Sequence, residues 1–296
     1  MHSLRVCTQI NLHSGSKENL SDYFRCGIEF CKNVGFDALD FPMKEISSLL
    51  GKTTDIEWKR CIERVKKDAE DFKIDFEVCH LPFTIWDRIS HDDNLVAEFE
   101  HILLASVDAA KALGVKYAVL HPNTVPVLKG DYCEKKEFET VIKHLAPVAN
   151  HAKKIGVSLA VENLGLYQAN PALYRYCQSA DEICRIADTL EIGVCWDFGH
   201  ANIGGYVQSE ELKKIGSRLL VLHINDNMGD ADEHLPPFAG TINWEDAMSG
   251  LREIGFNGLL NYEIATADIP ADKRIDFTNN LINVANQLNL LYNERK

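Results

Sequence analysis

From residue 5 to residue 288 the sequence alternates, eight times over, between a short apolar run and a longer amphipathic segment. Few folds satisfy that pattern. The short runs fall at 5–10, 38–41, 75–81, 117–121, 158–162, 192–198, 219–225 and 259–264. The helical segments fall at 21–34, 55–72, 95–113, 135–155, 180–189, 209–215, 244–254 and 273–288. Within 95–113, Phe99, Leu103, Val107 and Ala110 recur at helical spacing. Gly35, Gly114, Gly156 and Gly255 each stand between a helical segment and the next strand. Glycine there adopts the left-handed conformation that satisfies a helix's last carbonyls. Strands apolar on both faces must be covered on both faces, so the repeat predicts an α/β chain closed into a parallel (β/α)8 TIM barrel. A doubly wound open sheet would want a glycine-rich phosphate loop after an early strand, and the sequence has none.

With 296 residues, 46% of them hydrophobic, and no Pro/Gly/Ser-rich linker, the sequence reads as one domain over 1–296. Its formal net charge is −13, which repels polyphosphate backbones, so no nucleic-acid partner is expected. The densest basic cluster, Arg60, Arg64, Lys66 and Lys67, is interleaved with Glu63, Asp68 and Glu70 and reads as a solvated helix face. No apolar run is long enough to span a bilayer, so no membrane partner is expected, and the N-terminal MHSLRVCTQI lacks a secretory pattern. Nine scattered cysteines, odd in number and without a C-x-x-C pair, point to a reducing cytoplasm. Self-association into a homo-oligomer is left open.

Barrel enzymes place their sites at the C-terminal ends of the strands. Six successive strands here end on a polar residue able to bind metal: His80, His121, Glu162, Asp197, His223 and Glu263. Alternation supports their pointing inward. With Glu162 inside, Ala160 and Ser158 follow it and Val161 and Leu159 face the helices. With Asp197 inside, Cys195 and Gly193 follow it and Trp196 and Val194 pack outward. A carboxylate beside an apolar run needs a partner, and one metal ion would serve several together. The set predicted to hold it is Glu162, Asp197, His223 and Glu263.

The strings His80-Leu81-Pro82, Val161-Glu162-Asn163, Trp196-Asp197-Phe198-Gly199-His200, Leu222-His223-Ile224-Asn225-Asp226 and Tyr262-Glu263 resemble the xylose-isomerase-like barrel superfamily. Within it they resemble the sugar phosphate isomerase/epimerase branch, which includes ketose 3-epimerases, inosose isomerases and dehydratases. The resemblance implies one divalent ion on Glu162, Asp197, His223 and Glu263, and a small sugar-like substrate. Three carboxylates and an imidazole favour Mn²⁺ or Mg²⁺, with Zn²⁺ also admissible. It implies proton abstraction next to a carbonyl through a metal-stabilised enediolate, with Glu162 and Glu263 as the two catalytic proton carriers. His200 matches a substrate-oxygen contact. His80 and His121 are further substrate-binding candidates, as is Trp86, whose ring would stack on a sugar face.

The segment 232–244 resembles the family loop after strand seven and supplies Asp232 and His234 as further substrate contacts. Phe238 departs from the P-P-G-x-G commonly found there, and His234 stands where ketose 3-epimerases tend to have arginine. A dehydratase or lyase reaction on a keto-sugar or inosose is the alternative within the same barrel. A second alternative is an endonuclease IV-like nuclease, a relative that holds three zinc ions on a larger set. Its candidates occur here in matching order: His80, His121, Glu162, Asp197, His200, His223, Asp232, His234 and Glu263. A metal-free binding scaffold is the non-catalytic reading.

Overall fold

The computed structural model describes residues 3–13, 15–52, 54–166 and 170–294. Eight strands form one parallel sheet: β1 (Arg5–Gln9), β2 (Ala38–Pro42), β3 (Phe76–His80), β4 (Tyr117–Leu120), β5 (Ser158–Glu162), β6 (Gly193–Asp197), β7 (Leu219–His223) and β8 (Leu259–Tyr262). Their spatial order is β8-β1-β2-β3-β4-β5-β6-β7. The ring closes between β7 and β8 just above the strands proper. There Ile224 donates its N–H to the Asn261 carbonyl at 2.8 Å and accepts from Glu263 N–H at 3.2 Å. The expected (β/α)8 barrel is therefore the fold.

Eight helices alternate with the strands: α1 (Leu20–Val34), α2 (Ile56–Phe72), α3 (Asp93–Leu113), α4 (Glu134–Ile155), α5 (Ala180–Leu190), α6 (Gln208–Ile215), α7 (Trp244–Glu253) and α8 (Arg274–Asn293). Gly35, Gly114 and Gly156 cap α1, α3 and α4 in left-handed conformation, and Gly255 follows α7 with the same hand. The start of α5 is fixed by a capping box, in which Ser179 and Glu182 each accept from the other's backbone N–H. Helix α8 runs five residues past its expected end, because Leu288 and Tyr292 continue its buried face.

Two hydrophobic layers separate as strand alternation requires. Val78, Val119, Ala160, Cys195 and Val221 form a small cluster of their own inside the barrel. Leu159, Val161, Val194 and Trp196 belong to the larger cluster shared with the helices. Trp196 is fully buried there, and its indole N–H donates to Gln208 Oε1 at 2.9 Å, pinning α6 against β6. Ser158, read as the lowest inward residue of β5, is exposed at the start of its strand.

Some elements depart from the sequence reading. Residues 192–198 read as strand, but β6 stops at Asp197 and a short helix, Phe198–Ile203, follows at once. Asp197 causes the switch, since its side chain accepts the His200 N–H at 2.6 Å and caps that helix. Likewise β7 stops at His223 and β8 at Tyr262, beyond which, among the described residues, a single parallel bridge, Ile224 with Tyr262, is all that continues the ladder. A two-stranded antiparallel ribbon, Val127–Leu128 with Leu173–Tyr174, and a short helix, Ser47–Leu50, decorate the same end.

Gly114 (φ 86°) has open space where a Cβ would sit, so replacing it isolates the backbone conformation. Gly114→Ala is expected to lower stability by about 1 kcal/mol in chemical denaturation. Gly130→Ala, also into open space but without a left-handed φ, is expected to change it by less than about 0.5 kcal/mol.

Candidate metal centre

The barrel alternation brings the last inward residues of β5 to β8 together at one rim. They are Glu162, Asp197, His223 and, one residue past β8, Glu263. One ligand atom from each lies within 4.8 Å of the others. His223 stands in the middle. Its Nδ1 is 2.9 Å from Glu162 Oε1, 2.9 Å from Glu263 Oε2 and 3.9 Å from Asp197 Oδ2. Glu162, Asp197 and His223 are buried, and the Glu263 side chain keeps 19% of its surface open. Among the described residues no lysine or arginine pairs with any of these carboxylates.

Burying three carboxylates without a fixed cation is costly, and the titration behaviour reflects that strain. Burial, opposed by His200, lifts Asp197 to about 6. Burial also acts to raise Glu162 and Glu263, but His223 with its neighbouring histidines outweighs it and holds both well below the usual carboxylate range. Burial acts to lower His223, but Cys195 and the two glutamates outweigh it and draw the imidazole well above its usual range. A proton on His223 thus stands where a divalent cation would serve all four groups. Three carboxylates and one imidazole are a donor set for a hard or borderline ion, so the residues present fit the implied metal.

Two further groups flank the centre. Glu162 Oε2 lies 3.1 Å from His80 Nε2 and 3.2 Å from His121 Nε2. On the opposite side Asp232 sits between His200 Nε2 at 3.5 Å and His234 Nε2 at 3.3 Å. Both of those imidazoles are oriented from behind: His200 Nδ1 donates to the Asn163 carbonyl and His234 Nδ1 to the Glu263 carbonyl, each at 2.8 Å. Although burial opposes it, Asp232 and Glu263 lift His234 to about 10. The rim residues read from the sequence therefore converge, with one exception. Trp86 is 4% exposed and packs its ring against Phe99 and His144. The aromatic side chain beside His80 and His121 is Phe83, stacked on His121 with ring centroids 4.7 Å apart.

The motif strings acquire physical reasons. Asn163 pairs with the Asp197 backbone as a strand would, accepting its N–H at 2.7 Å and donating to its carbonyl at 3.0 Å. Asn225 Nδ2 donates to Asp197 Oδ2 at 2.7 Å, so both Asp197 oxygens are held. Gly199 is glycine because a Cβ there would overlap Asn225 Oδ1 and crowd Asn227 Nδ2. Asp226 organises the following loop by accepting from the backbone N–H of Asn227, Phe238 and Ile242 and from the Trp244 indole, at 2.9 to 3.2 Å. That loop is tied down along its length, and Phe238 is held half-exposed with φ 72°. Gln9, absent from the sequence reading, donates to Glu263 Oε1 at 3.1 Å. Its one sequence signal was its place at the end of the first strand.

Comparison with known proteins places this geometry in context. The family model described as "Xylose isomerase-like TIM barrel" matches residues 28–281. An uncharacterised protein of Methanocaldococcus jannaschii is 28% identical over 63% of this chain and 63% of its own. An inosose isomerase of Bacillus subtilis is 26% identical over 60% of this chain and 62% of its own. A probable endonuclease 4 of Mycoplasmoides gallisepticum is 27% identical over 62% and 59%. These alignments span about three fifths of the relatives' length. Among solved structures, a D-tagatose 3-epimerase-like protein superposes with a TM-score of 0.70 at 18% identity, covering 96% of this chain and 99% of that one. At that identity the likeness is one of fold.

Gly199→Ala is expected to destabilise the protein by about 2 kcal/mol, since its methyl must displace the amide that holds Asp197. Thermal unfolding followed by circular dichroism checks it, with no loss of stability counting against the interlock.

Proposed function

The chain belongs to the xylose isomerase-like TIM barrel family, and we propose that within it the protein is a metal-dependent isomerase or epimerase of small sugar-like substrates. The observation that carries this reading is the set Glu162, Asp197, His223 and Glu263, with two glutamates each 2.9 Å from one imidazole nitrogen. These four residues would hold the ion, for which Mn²⁺ or Mg²⁺ suits the oxygen-rich donors. When bound, a divalent cation supplies the charge that polarises a carbonyl and stabilises the enediolate formed beside it.

The chain's own residues do the rest. Glu162 and Glu263 come from different strands and each lies 2.9 Å from the His223 ring nitrogen, so one takes a proton from a substrate carbon and the other returns it. Gln9 fixes the Glu263 carboxylate by its Oε1 and leaves Oε2 to face the centre. Asp232, His200 and His234 form a hydrogen-bonding wall for substrate hydroxyls, and His80 and His121 form the wall opposite. The inosose isomerase relative supports a polyhydroxylated substrate. All nine cysteines are free, in keeping with a cytoplasmic enzyme.

One arrangement bears on a second reading, which stands behind the first. The flanking groups His80–His121–Glu162 and His200–Asp232–His234 each join three metal-competent side chains. A phosphodiesterase holding several ions would use them as ligands instead of substrate contacts, and the endonuclease relative is compatible with that. The net charge of −13 weighs against a nucleic-acid substrate. Elemental analysis after dialysis separates the two. One ion per chain is expected, whereas two or three, together with incision of abasic duplex DNA, would put the nuclease first.

Glu162→Gln and Glu263→Gln are each expected to abolish solvent-deuterium incorporation into ketose and inosose substrates, by at least about 10³-fold. Near-native turnover by either variant with metal bound would end the two-carboxylate mechanism. Binding of the ion must also displace the proton that the glutamates hold on His223. Metal affinity is therefore expected to rise with pH across the neutral range. Calorimetry in buffers of different ionisation enthalpy should register proton release.

A further inference from the structure

Beneath the ligands the barrel holds a second group of polar atoms that the proposed reaction does not use. Asp40, on β2, is completely buried, and no lysine or arginine pairs with it among the described residues. Its Oδ2 accepts from Asn261 Nδ2 at 2.8 Å, while its Oδ1 has no hydrogen-bond partner. Asn261 is the inward residue of β8 two positions before Glu263, and its carbonyl accepts the N–H of Ile224, the neighbour of His223. The His223 ring acts electrostatically on Asp40, and its Nε2 is buried without a hydrogen-bond partner, as is Asn261 Oδ1. Unpartnered buried polar atoms are rare, and two or three in one place call for a shared explanation.

The ligand geometry supplies it. His223 turns Nδ1 toward the carboxylates, so Nδ1 is the atom that would bind a cation and must then carry no proton. The ring proton moves to Nε2, which points away from the ligands and needs an acceptor. Of the two polar groups nearby, the Cys195 thiol, which also interacts with His223, is a weak acceptor. The Asp40 carboxylate is a strong one with a vacant oxygen.

We infer that Asp40 is the positioning residue of the metal centre, its free oxygen receiving the His223 Nε2 proton through one buried water, and so fixing the ring tautomer that binds metal. This rests on the metal reading given above, and it extends the site one layer down into the barrel. Asp40→Asn tests it sharply. The amide oxygen would satisfy Asn261 Nδ2 as before, which turns the amide donor toward His223 Nε2 and favours the tautomer that cannot bind through Nδ1.

Wild type, Asp40→Asn and Cys195→Ala are titrated with Mn²⁺ alone, and melting of each metal-free protein reports its folding. Asp40→Asn is expected to weaken Mn²⁺ binding by about 10- to 100-fold, with Cys195→Ala within about threefold of wild type. Equal binding by wild type and Asp40→Asn overturns the role of Asp40 alone, as does a loss confined to Cys195→Ala. Failure of the wild type to bind Mn²⁺ removes the metal reading and this inference with it. A second measurement does not depend on the variants' folding. In ¹⁵N-histidine-labelled, Mg²⁺-loaded wild type, His223 should show a protonated, slowly exchanging Nε2, and a proton on Nδ1 instead would overturn the assignment.

Discussion

The seam between β7 and β8 is the constraint on which the centre depends. Each of the other strand pairs is joined along several residues, but this one is made by the two hydrogen bonds of Ile224, set at the rim. Those bonds lie between His223 and Glu263 in space and bring them to 2.9 Å. The same bonds that close the barrel therefore sit beside two of the proposed ligands. Register pairs Asp197 with His223 at matching height, whereas Glu162 pairs with Cys195, two residues below Asp197, and reaches the same rim with its longer side chain.

Around that seam the fold gives up stability for function. An apolar barrel interior would be easier to bury, and the cluster of Val78, Val119, Ala160, Cys195 and Val221 shows the chain building one where it can. Above it, charges gather where most of the surface is withdrawn from water. Three of these carboxylates accept from neutral amides, Asn225 for Asp197, Gln9 for Glu263 and Asn261 for Asp40, while Asn163 holds the Asp197 backbone. Amides suit this task because they orient a carboxylate without neutralising it, leaving its charge for something else.

The fold was legible because its signal is repetitive. Eight alternations, with glycines at Gly35, Gly114, Gly156 and Gly255, survive errors of a residue or two at any boundary. The rim ligands were legible because polar residues ending apolar strands stand out. What stayed hidden depends on direction in space rather than on residue type. Trp86 and Phe83 are both aromatic and three positions apart, but the loop buries one and presents the other. Phe198 looked like strand because it is apolar, whereas the Asp197 side chain had already capped a helix there. Gln9 and Asp40 gave little sign of themselves, because a lone polar residue in a strand means nothing until its cross-barrel neighbour is known.

Gly199 and Asn225 lie 26 positions apart on different elements, yet they occupy one space, since a side chain at 199 would intrude on the amide at 225. The order in which a lineage can alter them follows from that. Position 225 must shrink before position 199 can grow, and shrinking it first releases an oxygen of Asp197. The path to a different residue at either position runs through an ancestor with a loosened centre. In inheritance the two behave as a single locus, coupled by steric exclusion.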